Sequence, residues 1–248
     1  MSSNPPVGKI AIVPIYLDTD NAVNVLSRFE RGTVDEICIV ADRLNQDEMA
    51  RLQNAADSIA TPVKIIDNKE LRGVGYAIKQ GLKYAQSKGY DVVVVMAGND
   101  KDDPAEIPRL LKPILEEDYD YVQGSRFLPG GKHVKNPFLR MAFSRLFPFA
   151  WTLATGVRCT DVTNGFRAYK MKILQDSQID VWQNWLDSYQ LEYYIHYKVT
   201  TLGYKMKEVP VSKTYPFRHK GGYSRISPFR DWWKIVEPIV YLTLGIKD

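Results

Sequence analysis

Three carboxylates crowd the end of one apolar run, where Val92 to Met96 empties into Gly98-Asn99-Asp100-Lys101-Asp102-Asp103-Pro104. An apolar run bounded by turn residues reads as a fully buried parallel strand, and its carboxyl end is where α/β sheets hold ligands. Acidic groups there suit a divalent cation and, with it, a phosphorylated substrate. The competing reading has Asp103 capping a helix that opens at Pro104, with the other acids as solvated turn residues. A second candidate is Lys69-Glu70-Leu71-Arg72-Gly73-Val74-Gly75, which follows a strand and opens a helix. Glycines at that place let backbone approach a phosphate at a helix N-terminus, or simply make a tight turn. Asp42, just past another strand, is placed to accept hydrogen bonds from a nucleobase or ribose, or is an ordinary loop aspartate.

These residues need elements to hold them. Strands are expected over 9–16, 36–41, 63–66, 91–96 and 121–123, alternating with helices over 22–29, 46–58, 74–87 and 104–117. Such alternation predicts a mostly parallel sheet covered on both faces. Residues 1–126 read as a nucleotide-binding half. After the breaker Pro129-Gly130-Gly131 the regularity changes. A basic aromatic helix is expected over 137–155, a polar segment runs through Gly165-Phe166-Arg167, a long helix covers 185–202, and a strand covers 204–211. The tail, 228–246, mixes Trp232, Trp233, Tyr241 and aliphatics with Arg230 and Lys234. It can lie in a membrane interface or pack on the domain.

The chain's 248 residues, 45% of them hydrophobic, suffice for one packed α/β domain. A net charge of +4 is too small to call for nucleic acid but is compatible with anionic substrates or an anionic membrane surface. Two cysteines, Cys38 and Cys159, indicate neither a disulfide framework nor a thiolate metal site, and a reducing cytosol fits best. The first eight residues lack a signal-peptide pattern, and no window is apolar enough to span a bilayer. The expected location is therefore cytoplasmic, with peripheral attachment at the cytoplasmic face of a membrane if the tail is interfacial.

With these pieces in order, the chain resembles glycosyltransferase family 2, and within it the dolichyl (polyprenyl) phosphate sugar synthases, over nearly its whole length. The first loop, Pro14-Ile15-Tyr16-Leu17-Asp18, is close to the family's Pro-x-Tyr-Asn. The acidic loop matches the family's Asp-Ala-Asp-Leu-Gln-(His/Asp)-Pro-Pro-Glu, anchored on Pro104 and Glu106. It departs at Gly98, where the family has its first Asp, and at Asp102, where the family has Gln. Gly124-Ser125-Arg126, then Arg140 and Ser144, repeat the spacing of the family's acceptor-phosphate residues, the last two being one helical turn apart. Asp161-Val162-Thr163-Asn164-Gly165-Phe166-Arg167 matches Asp-x-Thr-Ser-Gly-Phe-Arg, with Asn164 for Ser. Gln190-Leu191-Glu192 resembles the helix that carries an inward glutamate, and Glu208-Val209-Pro210-Val211 the Glu-Val-Pro strand.

The resemblance implies a GT-A fold, which is a Rossmann-like, mostly parallel α/β sheet flanked by helices, with an amphipathic helical tail. Residues 1–227 would form the glycosyltransferase domain, divided into a nucleotide-sugar half (1–126) and an acceptor half (127–227), followed by the amphipathic segment 228–248. It implies that Pro14, Tyr16, Asp18, Asp42, Arg72, Gly73, Gly98, Asn99 and Asp100 meet the nucleotide-sugar donor, and that Asp100 and Asp102 hold Mg²⁺ or Mn²⁺. Arg126, Arg140, Ser144 and Arg167 would cradle a polyprenyl phosphate, and Asp161, Arg126 and Asp100 would sit at the reacting centre. A mobile basic loop with Lys213, Arg218, His219, Lys220 and Arg225 would contact phosphates. The implied activity is inverting transfer of a hexose from a GDP-mannose or UDP-glucose type of donor. An anionic acceptor needs positioning and no strong base, whereas a sugar hydroxyl would need one, with Asp161 or Asp187 as candidates. A transferase acting on a glycan or lipid-linked saccharide, and a non-catalytic nucleotide-sugar-binding protein, stay open. A nucleotidyltransferase would carry a glycine-rich basic signature in the first loop, which is absent.

Overall fold

The structure, a computed structural model, describes residues 7–135, 138–215 and 230–248, the side chains of 230–232 excepted. Strands β1 (Lys9–Tyr16), β2 (Glu36–Asp42), β3 (Val63–Asn68) and β4 (Val92–Val95) alternate with helices α1 (Thr19–Leu26), α2 (Gln46–Asp57) and α3 (Val74–Lys88). A 3-10 turn at Pro104–Glu106 leads into α4 (Ile107–Glu116) and β5 (Tyr121–Ser125). Then come β6 (Lys132–Val134), α5 (Phe138–Thr155), β7 (Arg167–Lys170), α6 (Gln190–Thr201), β8 (Met206–Pro210), β9 (Ser212–Thr214) and α7 (Arg230–Thr243).

Seven strands form one sheet in the order β3-β2-β1-β4-β7-β5-β8, and β6 pairs with β9 in a small parallel ribbon. Within the large sheet β7 runs antiparallel to its neighbours β4 and β5, while the other pairs are parallel. From β1 the order runs outward through β2 and β3 on one side, and β4 lies on the other. The carboxyl ends of β1 and β4 therefore flank a topological switch point, where an open sheet leaves a crevice.

Both faces of the sheet are covered, so its strands are apolar throughout. Along β1, Ala11, Val13 and Ile15 pack toward α1, α2 and α4, and Ile10 and Ile12 pack toward α3 and α6. Each such fully buried aliphatic contributes about 1.5–3 kcal/mol. The start of α2 is set by a capping box in which Asn45 accepts from the Glu48 amide and Glu48 accepts from the Asn45 amide.

Three differences from the sequence expectation have local causes. The central strand β7 falls within the segment read as polar. It is only four residues long, and Arg167 is buried because three backbone carbonyls accept from its guanidinium. The long helix begins at Gln190, and only a 3-10 turn at Asn184–Leu186 precedes it. The intervening Asp187 carbonyl instead accepts from the Tyr76 amide in the first turn of α3. His196, expected on a surface or helix face, is wholly buried with Nδ1 3.0 Å from the Tyr121 hydroxyl. Burial, then the Arg167 charge, pushes its pKa well below the ordinary histidine range.

The tail packs on the body of the protein. Ile235 and Ile239 of α7 are buried with Phe147 and Trp151 of α5 and Tyr193 of α6, while Trp233 stays half exposed. The outer face of α5 is also apolar, with Phe138, Leu139, Leu146, Phe149 and Leu153 all exposed. No helix among the described residues is long and apolar enough to cross a membrane.

Candidate active site

A cleft of about 460 Å³ opens at the carboxyl ends of β1 and β4. Pro14, Tyr16, Asp18 and Asp42 line it from β1, β2 and their loops, and Gly73 from the entrance to α3. Gly98, Asn99 and Lys101 follow β4, and Arg140 and Ser144 descend from α5. Thr163, Glu192, Lys213 and Lys234 complete the wall. Nine of the expected residues thus meet in one cavity: Pro14, Tyr16, Asp18, Asp42, Gly73, Gly98, Asn99, Arg140 and Ser144. The expected basic-loop residues Arg218, Lys220 and Arg225 lie outside the described residues.

One end of the cleft offers hydrogen-bond acceptors. Asp42 is 4% exposed and accepts from the Asn68 amide nitrogen; burial raises its pKa against that bond. Asn99 Oδ1 is buried with no hydrogen-bond partner among the described residues, and a donor group such as a ribose hydroxyl would satisfy it. Gly73 and Gly75 serve packing. With φ of 131° at Gly73 and a Cβ 2.5 Å from the Asp187 carbonyl, and one at Gly75 2.2 Å from that of Leu186, only glycine lets α3 meet the 186–188 backbone. Gly73 nevertheless lines the cleft, with Leu71 and Val74. Arg72 is held away from the cleft by Asp187 at 2.5 Å and Asn184 at 2.9 Å.

The acidic loop does not assemble the expected metal pair. Asp100 sits in the left-handed region at φ 59° and is ion-paired with Arg28. Asp102 is 1% exposed, its Oδ1 2.7 Å from Lys213 Nζ. Asp103 accepts from the Ala105 amide at the helix start. At Gly98 a Cβ would lie 2.2 Å from Ile15 Cγ2 and 3.0 Å from Val13 Cγ1, so the packing of β4 on β1 leaves no room for a carboxylate. Among the described residues no group of three or more His, Cys, Asp or Glu is placed to hold a metal ion. Mg²⁺ beside a phosphorylated substrate usually takes one or two carboxylates, and the two candidates here, Asp100 and Asp102, are each already engaged by a cation, Arg28 and Lys213.

Arg126, Asp161 and Arg167 are also withdrawn from the cleft. The Asp161 carboxylate, fully buried, accepts from Arg126 Nε and Nη2 at 2.7 Å each and from the Arg126 amide at 3.0 Å. Two further Arg126 donors go to Tyr215 Oη and Thr163 Oγ1, both at 2.6 Å. Burial alone would lower the Arg126 pKa, and the Asp161 charge more than reverses this, holding it above the ordinary arginine value. Glu208 accepts from the amides of Thr160 and Asp161, so the motif at 161–167 is a buttress. Its Thr163 reaches the cleft and donates to Ser144 Oγ at 2.9 Å.

Arg140 lies at the other end with its guanidinium 5.2 Å from the Tyr215 ring centre, and Lys101 lies 5.3 Å from the same ring. Glu192 projects between the two ends; burial raises its pKa against the lowering influence of Arg167 and Lys213. Three contributors were legible only in part. Glu192 entered through resemblance alone, Lys101 stood unmarked between two aspartates, and Lys213 was assigned to the mobile loop. The alternation Val211, Lys213, Tyr215 does mark Lys213 as inward-facing, since residues two apart in a strand share a face; the flanking pair is fully buried.

A model of glycosyl transferase family 2 matches residues 11–177. The chain belongs to glycosyl transferase family 2. It is 26% identical over 203 residues to an undecaprenyl-phosphate mannosyltransferase of Micrococcus luteus, with 82% of each chain covered. It is 26% identical to a polyprenol monophosphomannose synthase of Mycolicibacterium smegmatis, covering 85% of this chain and 78% of the relative. Its fold matches glucosyl-3-phosphoglycerate synthase of Mycobacterium tuberculosis, solved with Mg²⁺ and UDP, at a TM-score of 0.66 and 15% identity over 98% of this chain and 81% of that one. The GT-A fold inferred from the motifs is thus the fold observed.

In this family 2 glycosyltransferase, the buried Arg126–Asp161 pair is expected to behave as structure. Asp161→Ala leaves a buried guanidinium uncompensated and should cost about 3–5 kcal/mol, seen by calorimetry as a melting temperature lower by roughly 6–20 °C. A fall of under about 2 °C would show that the pair does not support the wall.

Proposed function

We propose that this glycosyltransferase moves a hexose from a nucleoside-diphosphate sugar, of the GDP-mannose or UDP-glucose type, to a polyprenyl or dolichyl phosphate, with inversion at the anomeric carbon. The observation that carries this reading is the pairing of charges in and around the cleft. Arg140, Ser144 and Lys234 line its acceptor end, while the carboxylates that a hydroxyl acceptor would need, Asp161 and Asp187, are committed to Arg126 and to Arg72 and Lys79. A cationic site without such a base suits an acceptor that is already an anion. The names of the relatives, a polyprenol and an undecaprenyl-phosphate mannosyltransferase, support the same acceptor class.

Transfer then needs one displacement. An acceptor phosphate oxygen forms the bond to the anomeric carbon as the bond from that carbon to the donor's β-phosphate oxygen breaks, its electron pair leaving with the nucleoside diphosphate. No proton moves. Arg140 and Ser144 hold the incoming phosphate, and Asp18, Asp42 and Asn99 accept hydrogen bonds from the nucleoside. Expected donor contacts at Pro14, Tyr16, Gly73 and Gly98 shape the same end of the cavity. A membrane surface is the site of reaction in this reading, which is supported by α5, the helix that supplies Arg140: Phe147 and Trp151 face the core, while Leu146, Phe149 and Leu153 are 67%, 78% and 90% exposed. Exposed apolar side chains on the outer side of a helix suit a second apolar environment, and Arg145 within α5 and Arg158 after it suit anionic headgroups. Peripheral attachment at the cytoplasmic face is part of the same proposal.

A second reading, a sugar hydroxyl as acceptor, is favoured by Glu192, whose carboxyl lines the cleft with a raised pKa.

Steady-state kinetics separate the two. Arg140→Ala should raise the KM for polyprenyl phosphate roughly 10–100-fold, as for loss of a charge-assisted hydrogen bond, with donor KM little changed; an unchanged acceptor KM removes the phosphate cradle. Glu192→Gln should keep kcat within about tenfold, whereas a loss of 10²–10⁴ would make Glu192 a general base and favour the hydroxyl acceptor. In flotation with anionic vesicles, the Phe149→Glu, Leu153→Glu double variant should stay at the bottom of the gradient where the parent chain floats. Equal flotation of both would place the membrane contact elsewhere.

A further inference from the structure

Lys213 stands where a divalent ion was expected to be served. Its ammonium is 2.7 Å from Asp102 Oδ1 and 3.0 Å from Asn164 Oδ1, and its side chain is 8% exposed at the cleft wall beside Gly98, Asn99 and Lys101. Among the described residues two of its three N–H donors are used, by those oxygens, which leaves the third for a ligand. The strand that carries it is tied to the acidic loop by the Thr214 amide, which donates to the Lys101 carbonyl at 2.9 Å. Lys213 and Lys101 are therefore held as a fixed pair of cations at the switch point.

The three departures from the family's motifs converge on this feature. Asp102 replaces a neutral amide and supplies the counter-charge that lets a lysine be buried here. Asn164 replaces a serine, donates to the Gly124 carbonyl at 3.0 Å and offers its Oδ1 to Lys213. Gly98 replaces the first carboxylate at a point where Ile15 and Val13 exclude one. An ammonium already bound to Asp102 opposes a divalent ion on the same carboxylate, because like charges repel and repel more strongly where water is excluded.

We infer that the donor's diphosphate is bound, and its leaving charge stabilised, by the built-in ammonium groups of Lys213 and Lys101, so that nucleotide binding needs no divalent metal ion. This rests on the donor-site reading above. A preorganised charge aimed at the leaving group stabilises it without reorganisation at the moment of transfer. The ammonium groups replace the ion's electrostatic role, and they bring no open coordination position.

Calorimetric titration of GDP and of UDP into the full chain, once with EDTA and once with Mn²⁺, tests this. The expected result is that the nucleotide which binds does so with a Kd equal within about twofold in the two buffers. The Lys213→Met, Asp102→Asn double variant, which removes both buried charges together and so leaves neither unpaired, should weaken it at least tenfold in EDTA while circular dichroism shows the fold retained. The Lys101→Met variant should weaken it as well. Binding seen only with Mn²⁺, or tightened more than tenfold by it, overturns the inference while leaving the donor site in place. Unchanged affinity in the folded double variant does the same. No binding of either nucleotide in either buffer overturns the donor-site reading itself and the inference with it.

Discussion

The buried contact between Arg126 and Asp161 is the constraint on which the cleft depends. Arg126 directly follows β5, Asp161 begins the segment leading to β7, and the same guanidinium reaches Thr163 and, beyond β9, Tyr215. One planar group thus fixes three chain segments with directional bonds. A charge removed from water this completely is tolerated where its donors find acceptors and its partner binds in bidentate geometry; here four guanidinium hydrogen bonds, two of them to Asp161, meet that need. What hangs from it is the cleft wall. Thr163 positions the Ser144 hydroxyl, Tyr215 presents its ring to Arg140 and Lys101, and β9 carries Lys213 inward.

This has a chemical consequence. An arginine and an aspartate that neutralise each other in the core are not available to bind a phosphate or abstract a proton. The work of charge recognition passes to groups held around them: Arg140, Lys101, Lys213 and Lys234 for anions, and Asp18, Asp42, Asn99 and Glu192 for hydroxyl and amide donors. Both sets line one cavity, so that a single ligand can meet cations and hydrogen-bond acceptors together. Steric constraints act alongside the electrostatic ones. Gly98 lets β4 close on β1, and Gly73 and Gly75 let α3 close on the 186–188 backbone. In each case the missing side chain makes a packing contact possible, and the ligand surface is what the contact leaves behind.

The α5 and α7 layer joins acceptor binding to apolar surface. Burial of Ile235 and Ile239 against Phe147 and Trp151 uses the inner side of both helices, leaving the outer side of α5 with aromatic and leucine side chains in water. Arg140 and Ser144, on the same helix, point to the cleft. One helix thus presents charged and hydroxyl groups to the cleft and apolar side chains to the outside.

Much of this was legible in residue order. Continuous apolar runs and amphipathic stretches of period 3.6 located β1 to β5 and α1 to α4, because strands buried on both faces of a sheet must be apolar throughout and the helices that cover them on one side only. Motif spacing identified the family, and with it the GT-A fold. Strand β7 escaped because a charged residue inside a four-residue strand gives no periodic signal; its burial rests on carbonyls from 25 residues downstream and from its own turn. The roles of individual charges escaped for a related reason. Sequence determined which ionisable residues lie near the end of each strand, a property of local order. Only the tertiary structure decided which of them pair with one another and which face the cleft, because Coulomb energy and desolvation depend on distances across 35 to 111 positions of chain, as between Arg126 and Asp161 or Asp102 and Lys213.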